Sequence, residues 1–289
     1  MEFTFILPKE TKQQTIKELL ENEWLIPRKV KHFLRTRKNV LLNDVPAMFH
    51  EMVNPLDKVT LIFEEEDYEK PTILLGKKET INPLFEDEHL IIVNKPAGIK
   101  THPNQPDETD TLLNDLAAYL MSKKQTPYVV HRLDKETSGA VLFAKNPVVL
   151  PILGRMLEKK EINRLYEAQI EGQLPKKQLT INKAIGRDRH DRRKRIVDEK
   201  RGQHAITHVK EFKHSGKNTW VECSLDTGRT HQIRVHLTSI GKPIIGDPLY
   251  HPRGIHNKRL MLHAKELELI HPFTKEKITV KAKPFLSDN

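Results

Sequence analysis

Five charged or imidazole residues crowd into six positions, His131, Arg132, Asp134, Lys135 and Glu136, with Leu133 between them. Asp134 is the group with chemical reach. Arg132 and Lys135 flank it, and one cation at about 4 Å in an effective dielectric near 20 is worth roughly 4 kcal/mol before solvation costs. Such a neighbour keeps a carboxylate ionised, as a nucleophile or general base needs at neutral pH. The same residues also fit a solvated surface turn with an ordinary salt bridge. Their flanks add information: apolar residues at 128–130 precede them, the β-prone run 140–144 follows, and Ser138-Gly139 supplies a turn signal. Two strands thus carry a charged loop out and back, an expensive arrangement if packing were its only purpose.

Other reactive groups are scarcer. Fifteen histidines raise the question of a metal, but His231 and His236 lie five apart, which separates them on a helix, and no HExxH occurs. The single cysteine, Cys223, excludes an internal disulfide and a zinc deaminase signature, and in TWVECSLD it reads as a packed strand residue. No metal and no cofactor is expected. Lys plus Arg is 49 against Asp plus Glu 39, a net charge of +10, which favours an anionic partner such as nucleic acid without choosing RNA over DNA or lipid. No apolar run approaches the roughly 18 residues of a membrane helix, so no membrane partner is expected and a cytoplasmic location is.

The long string HRLDKETSG, residues 131–139, closely resembles the catalytic motif of the pseudouridine synthases of the RluA/RluD type, which act on uridines of large-subunit ribosomal RNA. Glu136 stands where that family more often has Asp. A second string, LDTGRTHQIRVHL at 225–237, resembles the family's other strong motif, and DEHLIIVNKPAGIKTHP at 87–103 its first. Arg164-Leu165-Tyr166-Glu167-Ala168 matches a basic-x-Tyr-x-Ala pattern, with Arg for the usual Lys. The resemblance implies that Asp134 is the catalytic residue, that Tyr166 stacks on the target base, and that Arg229 pairs with Asp134. It implies that Arg132 fills the space of a flipped-out base. It also implies isomerisation of uridine to pseudouridine without cofactor. Tyr166, taken without the other motifs, reads rather as a half-buried strand residue.

These residues need elements to hold them. The resemblance implies an α+β fold: a mixed, mainly antiparallel sheet with flanking helices, preceded by a small α/β RNA-binding module. The expected division is a module over 1–70, a charged linker over 71–84 and a catalytic domain over 85–289. Spacing predicts strands at 1–10, 40–42 and 59–63, a helix over 11–23 capped by Thr11, and a second over 28–37. That second helix bears Arg28, Lys29, Lys31, Arg35, Arg37 and Lys38 on its polar side. Arg28, Lys29, Arg35 and Lys38 are candidates for phosphate contacts. Thr109 or Asp110 should cap a helix with Leu112, Leu116 and Leu120 inward, and Asn146-Pro147 another. Residues 183–201 hold nine Lys or Arg against four acids and resemble the family's basic hairpin, with Arg187, Arg192 and Arg193 toward RNA. A disordered charged loop is the competing reading. For 230–241, alternation fits a strand, but Thr230 as cap and Gly241 as stop decide for helix. A monomer on ribosomal RNA is expected. The rivals are transfer RNA as substrate, a non-catalytic RNA-binding or ribosome-assembly factor on the same fold, and a metal-dependent hydrolase.

Overall fold

The computed structural model describes residues 1–251 and 259–283. The expected catalytic domain's stretches 252–258 and 284–289 lie outside the described residues. Ten strands form the main sheet. Eight run in the order Gln178–Asn182, Ile206–Ser215, Asn218–Leu225, Asn163–Glu171, Leu262–Ile270, Ser138–Ala144, Leu90–Lys95, Pro83–Glu86, while Tyr128–Val129 and Lys277–Lys281 pair outside this path. Every pairing is antiparallel except that of Ser138–Ala144 with Leu262–Ile270. The fold is therefore α+β, with a mixed and mainly antiparallel sheet. Among the described residues no helix is long and apolar enough to cross a membrane.

Both faces of the central strands are covered, which is why they read as continuous apolar runs. Leu90, Ile91, Ile92 and Val93 are all 0 % exposed. Side chains alternate between the faces. Ile91, Val93, Val141 and Phe143 pack with Leu112, Leu116 and Leu120 of the helix Leu112–Met121 and with Ile233 and Leu237 of the helix Gln232–Ser239. Leu90, Ile92, Ala140 and Leu142 pack with Ile152, Leu153 and Met156 of the helix Val149–Glu158. Gly139 sits at the parallel pairing with φ +114, opposite Ala264. Any Cβ there would collide with the Ala264 carbonyl oxygen, so only glycine lets the two strands close.

The N-terminal residues fold as a four-stranded sheet in the order Glu2–Ile6, Lys58–Ile62, Val40–Leu42, Val45–Pro46, with the helix Arg28–Thr36 against it. The helix expected over 11–23 is shorter. Gln14–Thr15 pairs with Met52–Val53, and the amides of Ile16 and Lys17 bond to Glu51 and Phe49 carbonyls. Those long-range bonds delay the first turn, so Thr15 caps it in a capping box with Glu18. At the helix beginning at 112, Thr111 rather than Thr109 or Asp110 stands at the cap position, and its hydroxyl donates to the Asn114 side chain instead of capping an amide. Asn146 does accept from the amides of Val148 and Val149, one turn ahead of its helix.

The N-terminal sheet and the main sheet share one apolar core. Phe5 meets Phe273 at 4.4 Å between ring centroids and stacks on His89 at 5.4 Å, and Trp24 sets its edge on Phe273 at 5.8 Å. Burial pushes His89 down to about 4, so it packs as a neutral ring. Arg155 caps the carbonyls of Asn22 and Glu23 across the boundary. The expected linker is pinned as well: Asn114 holds the Leu74 carbonyl, and Asp115 holds the Lys77 amide and the Thr80 hydroxyl. Its final residues already belong to the strand Pro83–Glu86. Trp24→Ala should open a cavity in this shared core and cost about 3–5 kcal/mol. Urea denaturation of the full chain should show one transition, shifted as a whole. Two separated transitions, with only the earlier one moved, would make the N-terminal unit independent.

Candidate active site

The residues from Val130 to Thr137 leave the strand Tyr128–Val129 and return on Ser138–Ala144. Their backbone is bound tightly to the loop after Leu90–Lys95. The Thr101 hydroxyl donates to the Leu133 carbonyl at 2.9 Å and accepts from its amide at 3.1 Å. The Gly98 amide donates to the Lys135 carbonyl. Lys95, fully buried, spends its ammonium on the carbonyls of Pro96, Ile99 and Lys135 at 2.9, 2.7 and 3.0 Å. Burial pulls this ammonium down to about 7, against the pull of Asp134 and Glu136. His131 and Leu133 point inward. His131 accepts from the Leu142 amide, and burial pushes it down to about 3, so it packs and orients as a neutral ring. Asp134 is left facing a cavity.

The cation beside Asp134 is Arg234, not Arg229. Arg234 Nη1 donates to Asp134 Oδ2 at 3.2 Å, while its Nε and Nη2 make a two-pronged contact with Asp247 at 2.8 Å each. Arg234 is 3 % exposed. Burial works against its charge, but Asp247 and Asp134 outweigh it and the guanidinium is raised above its usual value. Asp247 in turn accepts from the amides of Leu249 and Tyr250. Arg229 points elsewhere for a local reason. Gln232 Oε1 takes the Arg229 amide and the Thr227 hydroxyl, fixing the turn so that the Arg229 side chain is exposed and its Nε donates to the His204 carbonyl. The flanking Arg132 and Lys135 are exposed too. Among the described residues Asp134 is ion-paired with Arg234, and the His231 ring lies 3.8 Å from the same carboxylate oxygen.

Tyr166 lies on the neighbouring wall. Its strand pairs with Leu262–Ile270, and the register slips between Leu165 and Tyr166. A bulge of this kind re-aims the side chain it displaces. Tyr166 is 5 % exposed, lines the same cavity of about 610 Å³ as Asp134, and has Arg164 and Arg229 beside it on the lining. Burial, with Asp134 adding to it, raises its phenol above the ordinary value, so near neutrality it is a protonated ring. A second cavity of about 650 Å³ opens on the other side of Asp134, between Lys100, His102, Arg193 and Leu249. Arg132 lines both.

The basic stretch is an ordered hairpin, Ile185–Arg187 with Arg195–Val197. Arg187, Arg192 and Arg193 are exposed on it, and Arg193 is held by Asp191. On the N-terminal helix, Arg28, Lys29, Arg35 and Lys38 are exposed, whereas Lys31 and Arg37 are bound to Glu21 and to Glu66 and Asp67. Cys223 is fully buried and its thiol is pushed up to about 12.

This chain is similar to proteins whose activity is named. A model of RNA pseudouridylate synthases matches residues 89–239, and one of the RluD ribosomal pseudouridine synthase N-terminal domain matches 3–59. An uncharacterized RNA pseudouridine synthase of Bacillus subtilis, YhcT, is 41% identical over 88% of this chain and 83% of its own length. Ribosomal large subunit pseudouridine synthase D of Neisseria meningitidis is 35% identical over 84% of this chain and 68% of its own. Among solved structures, human RNA pseudouridylate synthase domain containing 1 superposes with a TM-score of 0.60 at 26% identity, covering 72% of this chain and 85% of that one.

Arg234→Met keeps volume but leaves two carboxylates around an empty centre. It should cost about 3–5 kcal/mol, read as a lowered denaturant midpoint, and Asp247→Asn added to it should restore part of the loss. Arg229→Ala should unfold at the wild-type midpoint. The opposite ranking of the two arginines would overturn the assignment of Arg234 as the cation at Asp134.

Proposed function

Since this chain belongs to the RNA pseudouridylate synthase family, we propose that it isomerises uridines of ribosomal RNA, with Asp134 as the reacting carboxylate. The observation that carries this reading is the Asp134 carboxylate held by Arg234 at the wall of a cavity it shares with Tyr166. The reaction breaks the bond from the ribose to uracil nitrogen, turns the ring and joins the same sugar carbon to a ring carbon. Substrate and product are isomers, so no electron acceptor enters the balance. Asp134 attacks the sugar or the base, or takes a proton from the sugar. Each route uses an ionised carboxylate whose position is fixed beforehand.

A stacked uridine has to leave its helix to reach Asp134, at about a few kcal/mol. Arg132, exposed between the two cavities, is placed to occupy the vacated space, with the target base in the Tyr166 cavity and a neighbouring nucleotide in the other. Tyr166 holds the ring by stacking. Its raised phenol argues against a proton-accepting role. Arg229, on the rim, serves a phosphate rather than Asp134. The hairpin with Arg187, Arg192 and Arg193, and the helix face with Arg28, Lys29, Arg35 and Lys38, add affinity through the backbone without sequence choice. A lone buried cysteine fits a cytoplasmic, reducing workplace.

Asp134→Asn keeps shape and removes the anion. Pseudouridine formation on a large-subunit ribosomal RNA transcript should fall below about a hundredth of wild type, with RNA affinity nearly unchanged. Residual turnover above that level would remove Asp134 from the chemistry. Changing Arg28, Lys29, Arg35 and Lys38 together to Gln should flatten the plot of log affinity against log salt, by about 0.7–0.9 for each phosphate that is no longer neutralised. An unchanged slope would mean that this face is only solvated.

A further inference from the structure

We infer that His231 is a positioning residue for Asp134, and that Tyr250 wires it to the basic hairpin. The inference rests on the reading of Asp134 as the reacting carboxylate. Three contacts run in series. The Arg195 amide, on the second strand of the hairpin, donates to the Tyr250 hydroxyl oxygen at 2.7 Å. That hydroxyl lies 2.8 Å from His231 Nδ1. His231 Nε2 lies 3.8 Å from Asp134 Oδ2.

Proton counting favours one direction for the chain. A backbone amide only donates, so the Tyr250 oxygen is an acceptor toward Arg195, and its single proton is free for His231. With Nδ1 taking that proton, the ring proton sits on Nε2, the nitrogen facing the Asp134 carboxylate, which accepts. The other tautomer would aim a second donor at the Tyr250 oxygen and set the Nε2 lone pair against the carboxylate. The hairpin therefore favours the tautomer that presents a donor to the carboxylate. The 3.8 Å gap is longer than a hydrogen bond, as is common before substrate closes a site.

His231 takes the left-handed conformation, φ 59 and ψ 19, which is uncommon for a residue with a side chain. It occupies the cap position of the helix Gln232–Ser239 and makes no capping hydrogen bond there, so its ring is left to meet Tyr250 and Asp134. Tyr250 is held in turn by the Arg234 guanidinium, 5.0 Å from its ring centre, and meets the His231 ring nearly edge-on.

The groups facing His231 are Asp134, Arg234, Arg195, Asp247 and the Tyr250 hydroxyl. Burial lowers its pKa, with Arg234 and Arg195 adding to that and Asp134 and Asp247 opposing it, so the ring is neutral near pH 7. Protonation would put a second proton on Nδ1, against the Tyr250 proton. The relay is thus intact above the His231 pKa and broken below it.

Nitrogen-15 NMR of the imidazole rings tests this on the unaltered protein, with His231→Gln identifying the resonances by difference. The expected result at about pH 7.5, above the ordinary imidazole range, is the Nε2–H tautomer, and Nδ1–H would overturn the inference. Three variants are then assayed on a large-subunit ribosomal RNA transcript. Tyr250→Phe and His231→Asn should each lower kcat about tenfold with KM within about twofold. His231→Gln, whose amide nitrogen can reach the Nε2 position, should keep at least about a third of kcat. Wild-type kcat should fall on the acid side of 6.5, the ordinary imidazole value, and His231→Gln should lose that fall. Wild-type kcat in Tyr250→Phe, or an unchanged acid limb in His231→Gln, would also overturn it. If the wild-type protein makes no pseudouridine, the proposed function fails instead, and the tautomer alone decides the relay.

Discussion

One buried guanidinium organises this molecule's centre. Arg234 is almost wholly removed from water and is shared by two carboxylates, Asp247 behind it and Asp134 in front. An ionised group in that position is tolerable only if it is paired and its hydrogen bonds are met. The first turn of the helix Gln232–Ser239 and the nearby turn at Asp247 must therefore meet the Asp134 loop, which lies 100 residues away in the chain. The arrangement carries one more negative than positive charge, and the excess faces the cavity on Asp134. That asymmetry suits the role proposed for Asp134: Asp247 holds the cation with two contacts, while Asp134, 17 % exposed on its side chain, faces the cavity.

Local pattern made much of this legible. The two strands around residues 131–137 and the helix ended by Gly241 follow from turn residues and apolar spacing, whereas the hairpin at 185–197 is expected only from the family resemblance. The wrong arginine has a physical cause. Arg229 sits in a turn, where an exposed cation looks available. Arg234 sits inside Ile233-Arg234-Val235, where a charge resembles the polar side of an ordinary helix. Only the approach of Asp247 and of Asp134, 100 residues away, shows that this helix is buried all round at its start. Lys95 was hidden in the same way, because its partners are backbone carbonyls, which leave no mark in the residue types. The short first turn at Thr15 was decided by Phe49 and Glu51, whose carbonyls no local spacing reveals.

The N-terminal sheet contributes more than charge. Phe5 and Trp24 close the apolar surface around Phe273 and His89, so the basic helix Arg28–Thr36 is carried on a body continuous with the main sheet. Surfaces held in fixed relation can select RNA by shape, because distant phosphates must fit a preset spacing. A flexible tether would offer only a raised local concentration.

The order of the strands also sets a timetable. Leu262–Ile270 lies between Ser138–Ala144 and Asn163–Glu171, at the middle of the sheet, and Gly139 lets it lie close along the strand that returns from Asp134. During synthesis the strands on either side emerge first and cannot meet without it. At about 5–20 residues per second, the chain waits several seconds with the edge of Asn163–Glu171 unpaired on that side and Ser138 and Gly139 without their partners. An exposed strand edge during that interval is built into the topology. The enzyme becomes competent only after nearly all of the described chain has been made.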